Sequence, residues 1–363
     1  MQHKKILILY NAIGLGHKSI AENIGYYLEE AGYEVKLEDI LKVESNWLTD
    51  VTTFLYHIFI TWLPFVWSFL YLNDWFTGIL LRFRTRVGGT YSANLKMVID
   101  SFEPDLIIST HTVPSAVVAS LKHKGLYKGK FGIAFSDYHL HRYWLYEEAD
   151  FYVVNIEEQK QQMVKLGFNS QKIAVCGMTL KPKLEVDAKA VKSKLGIGES
   201  ESVLLVGSGS QGTGLNKHLL KNLSEHTHVK VVVMCGKNKK AFAELGDYFA
   251  GSNVLVLGFY TPMDELYAIA DAFITKPGGL TVAEALRFNV PMIISHVLPG
   301  QEELNTEYLQ DKGLIMPEAI TIEGEAWEEL ETHAFKGHLL ENAAKNALFP
   351  GPEVLLEAIE SVI

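Results

Sequence analysis

The stretch Phe273-Ile274-Thr275-Lys276-Pro277-Gly278-Gly279-Leu280-Thr281-Val282-Ala283-Glu284-Ala285 decides how this chain is read, with Val290-Pro291-Met292-Ile293-Ile294 and Pro299-Gly300-Gln301-Glu302 behind it. It predicts a buried strand, a Lys-Pro-Gly-Gly turn, a helix opening at Thr281 and a second buried strand. Such a turn leaves backbone N–H groups at a helix N-terminus, where the helix dipole favours an anion. Glu284 falls one turn into that helix, poorly placed for a phosphate and well placed for hydroxyls of an attached sugar. The combination points to a nucleotide-sugar site. A capping box, with Thr281 and Glu284 bonding each other's backbone, explains the same spacing without a ligand.

Outward from this stretch, apolar runs of strand length alternate with helical periodicity. Residues 5–10, 33–37, 106–109, 131–135 and 151–154 read as strands of one half, and 203–207, 229–235, 254–257, 272–275 and 292–295 as strands of the other. Helical patterns over 19–31, 157–167, 215–226 and 281–288 lie between them. Near-continuous apolar strands separated by helices imply parallel sheets covered on both faces. At 363 residues the chain is long for one core, so two doubly wound domains are expected, meeting near 177–186 with the chemistry in a cleft at the carboxyl ends of the strands.

A formal net charge of −10 argues against a nucleic-acid partner, which needs a basic face. The two cysteines, Cys176 and Cys235, lie in different halves within apolar runs and read as reduced core residues. A first strand starting this early leaves no room for a signal peptide, which gives a cytosolic expectation. Residues 51–72 carry no charged side chain over 22 positions, and four of the six tryptophans (Trp47, Trp62, Trp67 and Trp75) fall within or beside them. As a helix this run is long enough to cross a bilayer. Pro64, His57, Thr61 and Ser68 interrupt it, and a span would split one domain across the membrane. An aromatic element lying in the headgroup region is therefore expected, with Arg82, Arg84 and Arg86 meeting anionic phosphates. A buried helical hairpin or an oligomer interface is the alternative.

Three further loops carry chemistry. Gly14-Leu15-Gly16-His17-Lys18-Ser19 follows the first strand. Its G-x-G resembles a dinucleotide turn, with Glu38 or Asp39 as the ribose acid, but Ser19 replaces the third glycine. His17 at a helix N-terminus has its cationic form disfavoured and suits a general base activating an alcohol. Asp137, in Ser136-Asp137-Tyr138-His139-Leu140-His141-Arg142-Tyr143-Trp144, is placed to hydrogen-bond His17 and fix its tautomer. Asp137, His139 and His141 also permit a metal triad, at a spacing that suits no familiar zinc pattern. Thr110-His111-Thr112 ends another strand and is a weaker candidate for the cleft wall. In the second half, Gly207-Ser208-Gly209-Ser210-Gln211-Gly212-Thr213-Gly214 lets backbone approach a ligand and offers Ser208 and Ser210 to a phosphate. Phe259 offers an aromatic face to a nucleobase.

The run from Gly258-Phe259 through Asp264-Glu265-Leu266, Asp271, Thr275–Thr281, Glu284-Ala285, Pro291 and Pro299–Glu302 to Asn305 resembles the monogalactosyldiacylglycerol synthase and processive diacylglycerol glucosyltransferase family, related to glycosyltransferase family 28. Gly14–His17 and Asp137, His141 and Trp144 resemble that family's acceptor domain. A more distant likeness, through the Gly-Ser-Gln-Gly loop at 209–212, is to the lipid-linked peptidoglycan N-acetylglucosaminyltransferase. The chain departs from the family at Gly177-Met178-Thr179, where Gly-Ile-Pro is usual, and in the length of the 51–72 run.

The resemblance implies an α/β GT-B architecture, two Rossmann-like doubly wound domains facing a central cleft. It implies inverting hexose transfer from a UDP-sugar to diacylglycerol or a related lipid, with no metal or other cofactor. His17 would be the base with Asp137 as its partner, and Gly16 would sit in the turn beside them. Ser208, Ser210, Gln211 and Gly212 would line the donor loop, Phe259 the uracil region, and Glu284 the ribose. Gly278, Gly279 and Thr281 would hold the diphosphate, and Gln301 and Glu302 the hexose. The expected boundaries are 1–178 for the acceptor domain, with a membrane-associating segment at 47–86, 179–345 for the donor domain, and 346–363 for a C-terminal helix packing back on the first. The expected location is peripheral, on an anionic cytoplasmic membrane face. Alternatives are an N-acetylglucosaminyltransferase using a polyprenyl-linked acceptor, a GT-B-like UDP-sugar epimerase lacking the aromatic segment, and a membrane-bound nucleotide-sugar sensor indifferent to His17.

Overall fold

The computed structural model describes residues 4–12, 15–43, 63–73, 75, 77, 78, 81, 92–212, 214–295, 297, 298, 300–316, 339, 341–343, 345, 346 and 348–363. The chain divides into two units. One comprises Met1–Lys181, Leu298–Leu304 and Ala347–Ile363, and the other Pro182–Val297 and Asn305–Asn346. The short piece Leu298–Leu304, which carries Gln301 and Glu302, groups with the first unit although the chain reaches it through the second.

The first unit holds a six-stranded, all-parallel sheet in the order β2-β1-β3-β4-β5-β6. Its strands are β1 (Lys5–Tyr10), β2 (Glu34–Asp39), β3 (Leu106–Ser109), β4 (Lys130–Ala134), β5 (Phe151–Val154) and β6 (Ile173–Val175). Ile6, Leu7, Ile8 and Leu9 are fully buried, as a strand covered on both faces requires. Each such side chain contributes roughly 1.5–3 kcal/mol relative to exposure. The helix Gly16–Glu30 packs on this sheet through Ile20, Ile24 and Leu28, spaced four apart on one face. The helix Pro352–Glu360 buries Leu355 and Ile359 and packs on β5, β6 and Gly16–Glu30.

The second unit holds a five-stranded parallel sheet in the order β11-β10-β7-β8-β9. These are β7 (Ser202–Gly207), β8 (Val229–Met234), β9 (Val254–Leu257), β10 (Ala272–Thr275) and β11 (Met292–Ile294). Cys176 and Cys235 are free and buried, one in each unit.

Both sheets change winding direction at one place. After β1 the chain goes to one side to make β2 and later to the other side to make β3, so the switch lies between β1 and β3. In the second sheet it lies between β7 and β10. Open parallel sheets bind ligands outside the carboxyl ends of the strands at such a switch. The loops there are the His17 turn with Thr110, and the Ser208–Gly214 loop with Lys276–Gly278.

Candidate active site

In the first unit, His17 is the second residue of the helix that follows β1, and the strand register puts the end of β3 beside it. Its Nδ1–H donates to the Thr110 carbonyl at 2.7 Å, and Thr110 Oγ1 donates back to the His17 carbonyl at 3.0 Å. With the Nδ1 proton placed there, Nε2 carries the basic lone pair. Burial pulls the imidazole below its ordinary pKa, while the Asp137 charge and the Thr110 bond act against that pull. The half-buried ring is therefore neutral at pH 7.

The expected His17–Asp137 hydrogen bond is replaced by this bond to a backbone carbonyl. The reason is the strand order: β3, bearing Thr110, is β1's neighbour, whereas Asp137 follows β4, one strand further away. Asp137 Oδ2 instead accepts from Ser136 Oγ and from Gln301 Nε2, each at 2.8 Å, and reaches His17 only as a nearby charge. The Asp137 backbone is fixed by Asn155 Nδ2 and Gln159 Nε2, which donate to its carbonyl at 2.9 and 2.8 Å. His111 meets the His17 ring edge-on at 4.5 Å. It caps its own helix by accepting the Val113 N–H at 3.1 Å, and burial holds its pKa well below the usual value.

His139 and His141 are engaged by Tyr71. The Tyr71 hydroxyl bonds His139 Nε2 at 2.9 Å, and His141 Nε2–H donates to the Tyr71 carbonyl at 2.8 Å with the two rings stacked 4.0 Å apart. Among the described residues no group of three His, Cys, Asp or Glu side chains is placed to hold a metal ion. Of the two acids offered to the dinucleotide alternative, Asp39 ends β2, is buried and has its carboxylate accepting the Leu41 N–H at 3.2 Å and the Ala12 N–H at 3.4 Å, while Glu38 pairs with Lys36 at 3.1 Å. Gly16 is exposed and opens the His17 helix.

Tyr71 belongs to the helix Pro64–Leu72. Its Ser68 hydroxyl donates to Glu303 Oε2 at 2.9 Å, and Gly300, at φ +94°, packs against the Tyr71 ring. Glu303 Oε2 also accepts the Gly300 N–H, and Glu302 Oε2 accepts the Leu298 N–H, both at 2.7 Å. Glu302, expected against a hexose, thus braces its own loop. Leu63, Phe65, Val66, Phe69, Leu72 and Trp75 are exposed. Gly14, Trp47, Trp62, Arg82, Arg84 and Arg86 lie outside the described residues, as do Thr213 and Pro299. No helix among the described residues is long and apolar enough to cross a membrane.

In the second unit the loop after β7 packs backbone on backbone against the turn after β8. Gly212, at φ +58°, sits so close to Cys235 that an added Cβ would collide with its carbonyl. Lys237 N–H donates to the Ser210 carbonyl at 2.8 Å, and Asn238 Nδ2 to the Gly212 carbonyl at 3.1 Å. Ser208 Oγ is buried with no hydrogen-bond partner among the described residues, an orphan that a phosphate oxygen would satisfy. Gly212→Ala should cost about 1–2 kcal/mol from its backbone conformation alone, more with the collision, and lower the thermal midpoint. An unchanged midpoint would show that the loop tolerates rearrangement.

The helix after β10 runs Gly279–Arg287 with Gly278 as N-cap and no side-chain cap. Its ladder begins with Val282 N–H to the Gly278 carbonyl at 2.9 Å, so the first-turn amides of Leu280 and Thr281 lie ahead of the ladder, where a helix N-terminus favours an anion. The helix starts two residues before Thr281, so the capping box does not form. Glu284 instead accepts a hydrogen bond from the Tyr267 hydroxyl at 3.2 Å. Asn305, almost fully buried, holds the Pro277 carbonyl at 3.1 Å and fixes the turn. Phe259 is exposed after β9, with the Lys237 ammonium 5.8 Å from its ring centre. Ser210 is half-buried and Gln211 exposed in the same loop.

Residues 17–180 match the monogalactosyldiacylglycerol (MGDG) synthase family, and residues 203–317 match the glycosyltransferase family 28 C-terminal domain. The chain is 32% identical over 325 residues to the processive diacylglycerol beta-glucosyltransferase of Bacillus pumilus, an alignment covering 86% of this chain and 82% of that protein. Among solved structures, the glycosyltransferase SnogD from Streptomyces nogalater aligns over 100% of both chains with a TM-score of 0.67 and 16% identity. The UDP-GlcNAc 2-epimerase from Neisseria meningitidis aligns over 98% of this chain and 100% of its own, with a TM-score of 0.60 and 13% identity. The structural likenesses establish the GT-B fold, which transferases and epimerases share, and the sequence relatives select the transferase. This is a glycosyltransferase of GT-B fold. More narrowly, the chain belongs to the family of the monogalactosyldiacylglycerol synthases and processive diacylglycerol beta-glucosyltransferases.

Proposed function

We propose that this protein transfers a hexose from a UDP-sugar to the hydroxyl of diacylglycerol or a closely related membrane lipid, with inversion at the anomeric carbon. The observation that carries the reading is His17, held neutral at the first sheet's switch point with its Nδ1 proton on the Thr110 carbonyl. Nε2 takes the proton from the lipid hydroxyl as that oxygen attacks the anomeric carbon. The bond from that carbon to the β-phosphate oxygen breaks, and UDP leaves with the electron pair. The developing charge falls to the amides of the Gly279–Arg287 N-terminus and to the Ser208–Gly212 loop, with the orphan Ser208 hydroxyl among the donors. Glu284 holds ribose hydroxyls and Phe259 covers the uracil. The residues on hand need no metal for these steps.

The exposed apolar row on and beside Pro64–Leu72 supports a seat on the bilayer that supplies the acceptor. An anionic cytoplasmic membrane surface, met by Arg82, Arg84 and Arg86, completes this reading. Incubating the protein with diacylglycerol liposomes and a panel of UDP-sugars tests it directly. A glycolipid product carrying the donor hexose is expected, and release of free sugar only, or epimerisation of the donor, would overturn it.

Glu284→Ala should weaken UDP-sugar binding by about 1–3 kcal/mol through lost charge-assisted hydrogen bonds, measured by calorimetry, with turnover at saturating donor largely kept. Unchanged donor affinity would remove Glu284 from the ribose site.

A further inference from the structure

Tyr267 lies on the helix Met263–Ile269. It is almost fully buried, with its ring centre 5.9 Å from Phe273 and 5.7 Å from Phe288. A buried phenol needs a partner for its hydroxyl, and this one donates to Glu284 Oε2 at 3.2 Å. The pair sits in a quartet on two facing helices. Asp264 and Tyr267 come from one, Glu284 and Arg287 from the other, each pair three residues apart and so on one helical face. Arg287 Nη2 lies 3.7 Å from Asp264 Oδ2, which also accepts the Leu184 N–H at 2.9 Å.

We propose that Tyr267 is a positioning residue of the donor site, its hydroxyl fixing one oxygen of Glu284 so that the carboxylate is presented to the ribose hydroxyls of the UDP-sugar. The inference rests on the reading of Glu284 as ribose ligand. It makes donor binding proton-linked. Burial pushes the Glu284 carboxyl up to about 7, the Tyr267 bond and the Arg287 charge pull it down, and the Asp264 charge pushes it up. Only the ionised carboxylate accepts both ribose hydroxyls fully, so affinity rises as pH climbs through the Glu284 pKa. Removing the phenol donor disfavours the ionised form and moves that rise to higher pH.

The test is calorimetric titration of the full-length protein with UDP-glucose and with UDP-galactose, from about pH 6 to about pH 8.5. Neither donor ionises in this window, so the protein alone sets any pH dependence. For the parent protein, affinity should increase through about pH 7 and then level. In Tyr267→Phe the midpoint should move upward, with affinity near pH 7 lowered about fivefold, the equivalent of one ordinary hydrogen bond, and recovered at higher pH. Glu284→Gln should bind weakly and without pH dependence in the window. An unmoved midpoint in Tyr267→Phe, or an equal loss at every pH, makes Tyr267 a packing residue only and overturns the proposal. Absence of UDP-sugar binding by the parent protein at any pH overturns the donor-site reading itself, a distinct outcome. If Tyr267→Phe does not fold, 3-fluorotyrosine at position 267 keeps the ring and sharpens the donor. It should shift the midpoint downward, and no shift overturns the proposal.

Discussion

Replacing His17 with alanine is expected to lower hexose transfer by about 10²–10⁴-fold while UDP affinity stays within about twofold of the parent. The separation follows from where the imidazole sits. Its Nδ1 proton is committed to the Thr110 carbonyl, and the residue belongs to the first unit, whereas the glycine loop, Phe259 and Glu284 all belong to the second. On the proposed reading its loss should therefore affect the acceptor step and leave nucleotide binding alone. Turnover should also fall as pH drops through the His17 pKa, which burial holds below the ordinary value of about 6.5, because only the neutral ring accepts a proton. Measured at saturating donor, this acid limb is distinct from the Glu284 ionisation near 7, which appears in the donor KM. A His17→Ala variant that keeps most of its turnover would remove His17 from the mechanism.

Asp137→Asn separates charge from hydrogen bonding at the same site. The amide can still occupy the place beside Gln301 and Ser136, but it no longer raises the His17 pKa by its charge. The acid limb of kcat should therefore move further down in pH, with a smaller loss of turnover than in His17→Ala. Loss of activity as deep as that of His17→Ala would mean that Asp137 does more than supply a field.

Much of this was legible in the sequence because it rests on local pattern. The strands are short apolar runs, and the loops at their carboxyl ends carry the glycines, His17 and the Lys-Pro-Gly-Gly turn. Strand β6 escaped because Ile173-Ala174-Val175 is only three residues long and is a strand by virtue of pairing with β5. The partner of His17 escaped for a different reason. A backbone carbonyl has no residue-type signature, and the choice of Thr110 over Asp137 depends on strand order. The sequence pattern places the helix start at Thr281, but the helix begins at Gly279 after the Gly278 N-cap without a side-chain cap, and Glu284 pairs with Tyr267. Gln301, Glu302 and Glu303 follow the donor strands in sequence, yet their bonds go to Asp137, Leu298, Gly300 and Ser68 in the first unit. Periodicity carries no information about such long-range pairing.

The second large effect concerns the exposed apolar row. In the triple variant Phe65→Ser, Phe69→Ser and Trp75→Ser, vesicle binding should fall by more than about 100-fold, since each large apolar side chain taken fully into lipid contributes about 1.5–3 kcal/mol. The protein should keep its fold, because these three side chains are 84%, 66% and 75% exposed and contribute little to the core. Ser68 and Tyr71 tie the helix Pro64–Leu72 to Glu303 and His139, and the variant leaves both alone. UDP affinity in solution should be unchanged, while transfer to diacylglycerol in vesicles falls with binding. Arg82, Arg84 and Arg86 would add roughly 1 kcal/mol each on anionic lipid, a contribution that salt screens away. Binding of the parent protein should therefore drop with added salt without vanishing, the apolar part surviving. Flotation of both proteins with neutral and anionic vesicles, at low and high salt, separates the two components. If the triple variant floats as well as its parent, the row is not the seat. If the parent never floats, the acceptor must reach His17 from something other than a bilayer.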